Sequence, residues 1–126
     1  MSNRVVLCIG SNLEPRQNMV LRGMEWAVKK LCEPMLSHVY ETPEIHGRGP
    51  AYANAVVAGF VDEPYDLFNR EIKEYEIECG RDDEARKEGR VPLDIDIVIW
   101  DGDVVRPKDF RQQFFQIGWN ELNRQE

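Results

Sequence analysis

Apolar positions along the chain fall into runs with two different periods. Val5 to Ile9 is a short apolar run closed by Gly10-Ser11-Asn12, the pattern of a strand and a turn. Beyond Pro15, a residue suited to the first position of a helix, Val20, Leu21, Met24, Ala27, Val28 and Leu31 recur at spacings of three and four. That stripe predicts an amphipathic helix ending at Pro34. Met35 to Tyr40 has strand character, the stretch from Thr42-Pro43 to Pro50 reads as an irregular loop, and Ala53 to Phe60 is another strand-length apolar run. Pro64 opens a second helix with Phe68, Ile72, Tyr75 and Cys79 on one face, and Gly80 is its natural stop. Arg81 to Arg90 mixes acidic and basic residues without an apolar period and is expected to be a solvated loop. The last strand holds VPLDIDIVIW and turns at Asp101-Gly102.

The resulting order, β-α-β-β-α-β, predicts an α+β fold: a ferredoxin-like sandwich with an antiparallel sheet and two helices on one face. Residues 1–126 suit a single domain. The tail beyond Val104 has no assigned element, although Phe110, Phe114, Phe115 and Trp119 imply that it packs back onto the rest.

One strand does not fit a plain core. Strict alternation places Leu93, Ile95, Ile97 and Ile99 on one face and Asp94, Asp96, Val98 and Trp100 on the other. The two aspartates then point the same way, with α-carbons about 6.5–7 Å apart. Unpaired, they would repel each other and lose hydration, so a positive group is expected against them. The formal charge of −7, from 23 acidic and 16 basic residues, argues against nucleic acid as a partner. A small phosphorylated ligand remains compatible, because bound divalent cations supply positive charge locally. No apolar run is long enough for a membrane span, and the first residues do not form a signal peptide, so a cytoplasmic location is expected. Cys8, Cys32 and Cys79 with His38 and His46 show neither a disulfide framework nor zinc-ligand spacing.

Four segments in register resemble the 6-hydroxymethyl-7,8-dihydropterin pyrophosphokinase (HPPK) family over roughly residues 4 to 105. They are the strand followed by Gly10-Ser11-Asn12-Leu13, Tyr40-Glu41-Thr42-Pro43 with Tyr52-Ala53-Asn54-Ala55, Glu76-x-x-x-Gly80-Arg81, and Leu93-Asp94-Ile95-Asp96-Ile97. The resemblance implies transfer of pyrophosphate from ATP to the hydroxymethyl group of a reduced pterin, with release of AMP. It implies two magnesium ions held by Asp94 and Asp96, since carboxylates suit this hard cation. It further implies catalytic roles for Asp94, Asp96, Arg81 and Arg90, and nucleotide contacts from Glu76, Arg81 and Ile97. Pterin contacts would come from Thr42, Pro43, Ile45, Tyr52 and Asn54, whose amide offers both a donor and an acceptor to the ring edge. Phe114 or Phe115 would supply a second stacking ring.

The sequence departs from the family where phosphate is handled. Val91 stands where the family places an arginine, with Arg90 one residue early. No V-P-H-P-like segment follows Asp101, and the C-terminal region is short. Arg106 and Arg111 are the nearest basic residues there. Three readings follow: an active pyrophosphokinase, a catalytically weakened pterin- or nucleotide-binding relative, or an unrelated ferredoxin-like interaction module in which Asp94-Ile95-Asp96 is merely a strand pattern.

Overall fold

The structure is a computed structural model and is described over residues 2–125. Its elements are β1 (Asn3–Ser11), α1 (Arg16–Lys30), β2 (Cys32–Leu36), β3 (Tyr40–Thr42), β4 (Tyr52–Val61), α2 (Tyr65–Glu78), α3 (Asp83–Lys87), β5 (Asp94–Trp100), β6 (Asp103–Val104), α4 (Pro107–Phe110) and α5 (Gln113–Gln125). The strands form one antiparallel sheet in the order β2-β4-β1-β5-β6, with the short β3 also paired to β4. This is the expected ferredoxin-like arrangement, with β1 at its centre. Val5, Leu7 and Ile9 face α1 and α2, where Val20, Met24, Ala27, Phe68 and Ile72 close the core. Val6 and Cys8 are buried on the opposite face. A strand covered on both faces reads as a continuous apolar run, which is what Val5 to Ile9 shows.

The unassigned tail supplies that second cover. Phe115 and Leu122 of α5 pack on Val6, Val56, Ala58 and Val98, with Phe110, Phe114 and Trp119 around them. The tail therefore adds a third layer opposite the two predicted helices. Among the described residues, no helix is long and apolar enough to cross a membrane.

Three local expectations change. Residues Met35 to Tyr40 are not one strand. Ser37 breaks it, because its hydroxyl accepts the Val56 N–H of β4 at 2.9 Å where a regular ladder would use a carbonyl. Pro34 lies inside β2 rather than at a helix end. Residues 33 and 34 stand opposite Gly59 alone, a bulge on an edge strand that tolerates the missing N–H. The stretch 81–90 contains α3, nucleated where the Asp82 carboxylate accepts the Ala85 N–H at 2.8 Å and the Ala85 methyl is buried.

The alternation along β5 also fails partway. Val6 pairs with Ile99 but Leu7 pairs with Ile97, so Val98 is an extra residue in the strand. Past this bulge the faces exchange. Ile99 joins Val98 on the α5 side, while Trp100 turns to the α1–α2 core against Tyr65 and Phe68. Asp94 and Asp96 precede the bulge and keep their shared face.

Candidate active site

Directly opposed residues of an antiparallel sheet share a face. Tyr40 of β3 pairs with Asn54 of β4, Asn54 with Gly10 of β1, and Gly10 with Asp94 of β5. One row of side chains thus crosses the sheet on the α5 side. The next row holds Val56, Cys8 and Asp96. Strands lie about 4.8 Å apart, so Asn54 and Asp94 stand about 10 Å from each other with Gly10 between them. A β-carbon on Gly10 would lie 3.0 Å from the Asn54 side-chain oxygen. The glycine therefore leaves an open floor. Above it is a cavity of about 230 Å3, lined by Cys8, Gly10, Thr42, Pro43, Glu44, Ile45, Tyr52, Asn54, Asp94, Asp96 and Phe114.

The Asn54 end is rigid. Asn54 is buried, and its amide nitrogen donates to Thr42 Oγ1 at 2.8 Å. Among the described residues its carbonyl oxygen has no donor, which leaves an acceptor for a ligand. The loop after β3 is held by Glu44, whose carboxylate accepts the Arg48 and His46 N–H groups, each at 3.0 Å. Those bonds lower its pKa. Ile45 is 59% exposed at the cavity rim, an apolar side chain left largely uncovered by protein. Tyr52 forms part of the wall, and burial followed by the Asp94 charge raises its phenol pKa.

The Asp94 end collects charge. Arg81 Nη1 lies 2.6 Å from Asp94 Oδ1 and 3.4 Å from Glu76 Oε2. Gly80, at φ +102°, closes α2 in a left-handed turn. The Gly80 N–H bonds Ile77 O and the Arg81 N–H bonds Glu76 O, the paired bonds of a Schellman ending. The Glu-x-x-x-Gly-Arg pattern is therefore a stop signal that delivers Arg81 to the end of β5. Glu76 itself is 3% exposed and accepts the Ile95 N–H at 2.7 Å, capping the open edge of β5. Burial raises the Glu76 pKa, and the Ile95 N–H and Lys73 oppose that rise.

Asp96 is approached by Lys73 at 3.6 Å and by Arg106 at 3.9 Å. Burial and then the neighbouring Asp94 raise its pKa from 3.8 to about 7. Burial is the largest single influence on Asp94 and opposes its ionisation, but the Arg81 hydrogen bond, the Asp96 hydrogen bond and the charges of Arg81 and Lys73 together outweigh it and hold that carboxyl below its ordinary value. The two carboxylates behave as one unit that readily keeps a single shared proton.

The positive groups demanded by the aspartate pair are thus Arg81, Lys73 and Arg106. Lys73 was not singled out from the sequence. The available signal is its place three residues before Glu76, on the same side of α2. Arg106 is the tail cation that reaches the pair. Cys8, opposite Asp96 in the register, was also missed. Burial, then the Asp96 and Asp94 charges, raise its thiol pKa well above the ordinary value, so it is an inert part of the floor. Asn12 braces the backbone: its side chain accepts the Val91 N–H at 2.6 Å and donates to Gly89 O at 3.0 Å. It pins the approach to β5 against the end of β1.

Three expected site residues lie elsewhere. Arg90 pairs with Glu88 at 3.2 Å, since its position just beyond α3 turns it away from the cavity. Phe115 is fully buried under α5, so Phe114 is the ring at the cavity. The Ile97 side chain is 2% exposed in the α1–α2 core and can offer a ligand no side-chain contact.

Among the described residues, no group of three or more His, Cys, Asp or Glu side chains is arranged to hold a metal ion. Asp94 and Asp96 alone leave most of an octahedral shell to water or to ligand oxygens. This donor set suits magnesium delivered with a triphosphate better than free magnesium.

Residues 6–124 match the family described as 7,8-dihydro-6-hydroxymethylpterin-pyrophosphokinase (HPPK). Over 100 residues, or 76% of the chain, the sequence is 31% identical to the folate synthesis bifunctional protein of Arabidopsis thaliana. The matched region spans 20% of that relative's length. The chain belongs to the HPPK family.

Proposed function

We propose that this HPPK-family chain transfers pyrophosphate from ATP to the hydroxymethyl group of 6-hydroxymethyl-7,8-dihydropterin, with magnesium, releasing AMP. The observation that carries the reading is the row Asn54–Gly10–Asp94. It sets a buried amide with a free acceptor about 10 Å from a carboxylate pair, across a floor without side chains. A flat bicyclic ring fits that interval, with its polar edge at Asn54 and its hydroxymethyl group toward Asp94.

In the reaction the hydroxymethyl oxygen attacks the β-phosphorus of ATP. The bond from that phosphorus to the oxygen bridging the α-phosphate breaks, AMP leaves, and the hydroxyl proton is lost. Magnesium held by Asp94 and Asp96 would neutralise the triphosphate and polarise the transferring group. The chain's own residues do the rest. Asn54, Thr42 and the Pro43–Ile45 loop bind and orient the pterin, while Tyr52 and Phe114 wall its faces. Arg81 balances Asp94, and Glu76 fixes the β5 edge that carries both aspartates. Lys73 and Arg106 are the cations on the Asp96 side and the available substitutes for the charge missing at Val91.

The turn of Arg90 toward Glu88 supports a second reading, a pterin-binding relative that no longer transfers phosphate. One assay separates the two. The protein is incubated with ATP, magnesium and the reduced hydroxymethyl pterin, and AMP is followed. AMP formation that requires the pterin is expected. Pterin binding without AMP would replace the enzyme reading by the second one.

A further inference from the structure

Tyr40 belongs to the same row as Asn54, but its hydroxyl is directed away from the cavity floor and into α5. It donates to Phe114 O at 2.6 Å and accepts the Gly118 N–H at 3.1 Å. Phe114 and Gly118 are four residues apart, the two groups that an α-helix ordinarily joins to each other. The hydroxyl stands between them in the first turns of α5. Such an approach requires glycine at position 118. A β-carbon there would lie 2.8 Å from the Tyr40 oxygen and 2.6 Å from Val56 Cγ2.

The same carbonyl of Phe114 also receives the Cys8 thiol, Sγ to O 3.9 Å, from the cavity floor. The backbone of Phe114 is therefore tied to β3 through Tyr40 and, more weakly, to β1 through Cys8. Phe114 is the residue of α5 that lines the cavity. Two residues beyond Tyr40 in the same short strand is Thr42, which holds Asn54. One strand of three residues thus fixes both the amide at one end of the floor and the aromatic wall above it.

We infer that Tyr40 is a positioning residue for the acceptor pocket: its hydroxyl, set between Phe114 O and Gly118 N, fixes the Phe114 ring and thereby the affinity for the flat aromatic ligand. This rests on the pterin reading for the identity of the ligand, but the tie between Tyr40 and Phe114 does not. Burial raises the Tyr40 pKa, so the phenol keeps its proton and its donor role at all working pH values.

The test compares wild type, Tyr40→Phe, Phe114→Ala and the double variant. Binding of 6-hydroxymethyl-7,8-dihydropterin is measured by calorimetry, and KM and kcat are measured where AMP forms. Tyr40→Phe removes one oxygen from a packed ring and should fold. It is expected to raise the pterin Kd and KM about 5- to 10-fold, the size of one or two lost hydrogen bonds, with kcat within about twofold. In the Phe114→Ala background the same change should add almost nothing, because the residue acts through that ring. An unchanged Kd in Tyr40→Phe, or an undiminished effect in the double variant, overturns the inference. If wild type binds no pterin, the functional reading fails and the inference is decided without ligand. Ring signals of Phe114 in the NMR spectrum should then shift or broaden in Tyr40→Phe while those of Phe115 hold. Unmoved Phe114 signals overturn it.

Discussion

Replacing Asp96 by Asn should stabilise the protein in chelator and, on the proposed function, abolish AMP formation. Asp96 sits beside Asp94, and burial together with that neighbour raises its pKa from 3.8 to about 7. Between those two values the folded protein holds a proton that the unfolded chain has released. Stability therefore falls as pH rises through that window, and the full penalty is present above about pH 7. At about 1.4 kcal/mol per unit the rise corresponds to a ceiling of about 4 kcal/mol. The attraction of Lys73 at 3.6 Å and Arg106 at 3.9 Å already offsets part of that rise and is contained in it. The Asn amide keeps its own cost of burial, which lowers the gain below the ceiling. The net gain expected for Asp96→Asn at pH 8 is about 1–3 kcal/mol, or roughly 3–10 °C in Tm for a domain of this size. Near pH 4 the wild-type carboxyl is already protonated, and the difference should vanish. Chemical denaturation in chelator at pH 4, 6 and 8 measures this. A variant no more stable than wild type at pH 8, or a gain independent of pH, refutes the electrostatic account. AMP formation by the variant equal to wild type would separately sink the role given to Asp96.

Other perturbations probe other parts of the site. Arg106→Ala should lower kcat by about 10- to 100-fold, the scale of one charged contact to a transferring phosphate, whereas Arg90→Ala should change it less than about threefold; equal losses would mean that Arg90 leaves Glu88 during turnover. Gly10→Ala puts a methyl 3.0 Å from the Asn54 oxygen and should raise the pterin KM about tenfold or more with a near-wild-type Tm, read by steady-state kinetics and thermal melts. Magnesium alone should move the Tm very little, and magnesium with a non-hydrolysable ATP analogue should raise it by several degrees; a full shift with magnesium alone would reveal a metal site the two carboxylates do not explain.

The two-period pattern of the sequence was enough for the sheet, the two helices under it and the shared face of the aspartates, because these depend on residues close in the chain. What it missed depends on events that periodicity does not record. The Val98 bulge exchanges the faces of Ile99 and Trp100, yet nothing in DIDIVIW distinguishes an inserted residue from a regular one. The strand break at Ser37 arises from one hydroxyl replacing a carbonyl on β4, a contact across 19 residues of chain. Helix α3 hid in a charged stretch because its only apolar anchor is Ala85, although Asp82 three residues earlier was a readable cap. In the site, motif positions told where carboxylates and amide would meet. They could not tell which cation would answer Asp96, because Lys73 and Arg106 come from a helix face and a tail that converge only in three dimensions. Arg90 shows the converse, a basic residue close in sequence that the end of α3 aims at Glu88.

That division bears on how the site would be loaded. Asp94, Asp96 and Glu76 face Arg81, Lys73 and Arg106, so the carboxylates already have positive partners within the chain. A divalent cation entering alone would meet three positive side chains and gain only two carboxylates, and it would have to loosen the 2.6 Å pair between Arg81 and Asp94. A magnesium ion arriving on a triphosphate brings its own negative charge, which gives the displaced cations new partners. On the proposed reading the cations therefore hold the aspartates in place before binding and turn to the phosphates after it. The absence of an arginine at Val91 then matters less than the freedom of Arg106 to move. Its remaining tie is to Asp109 at 2.5 Å, on the one-turn helix α4. Asp109→Asn weakens that tie without touching the aspartate pair. It should preserve or raise kcat, and a loss as large as that of Arg106→Ala would show that Arg106 works only where Asp109 holds it.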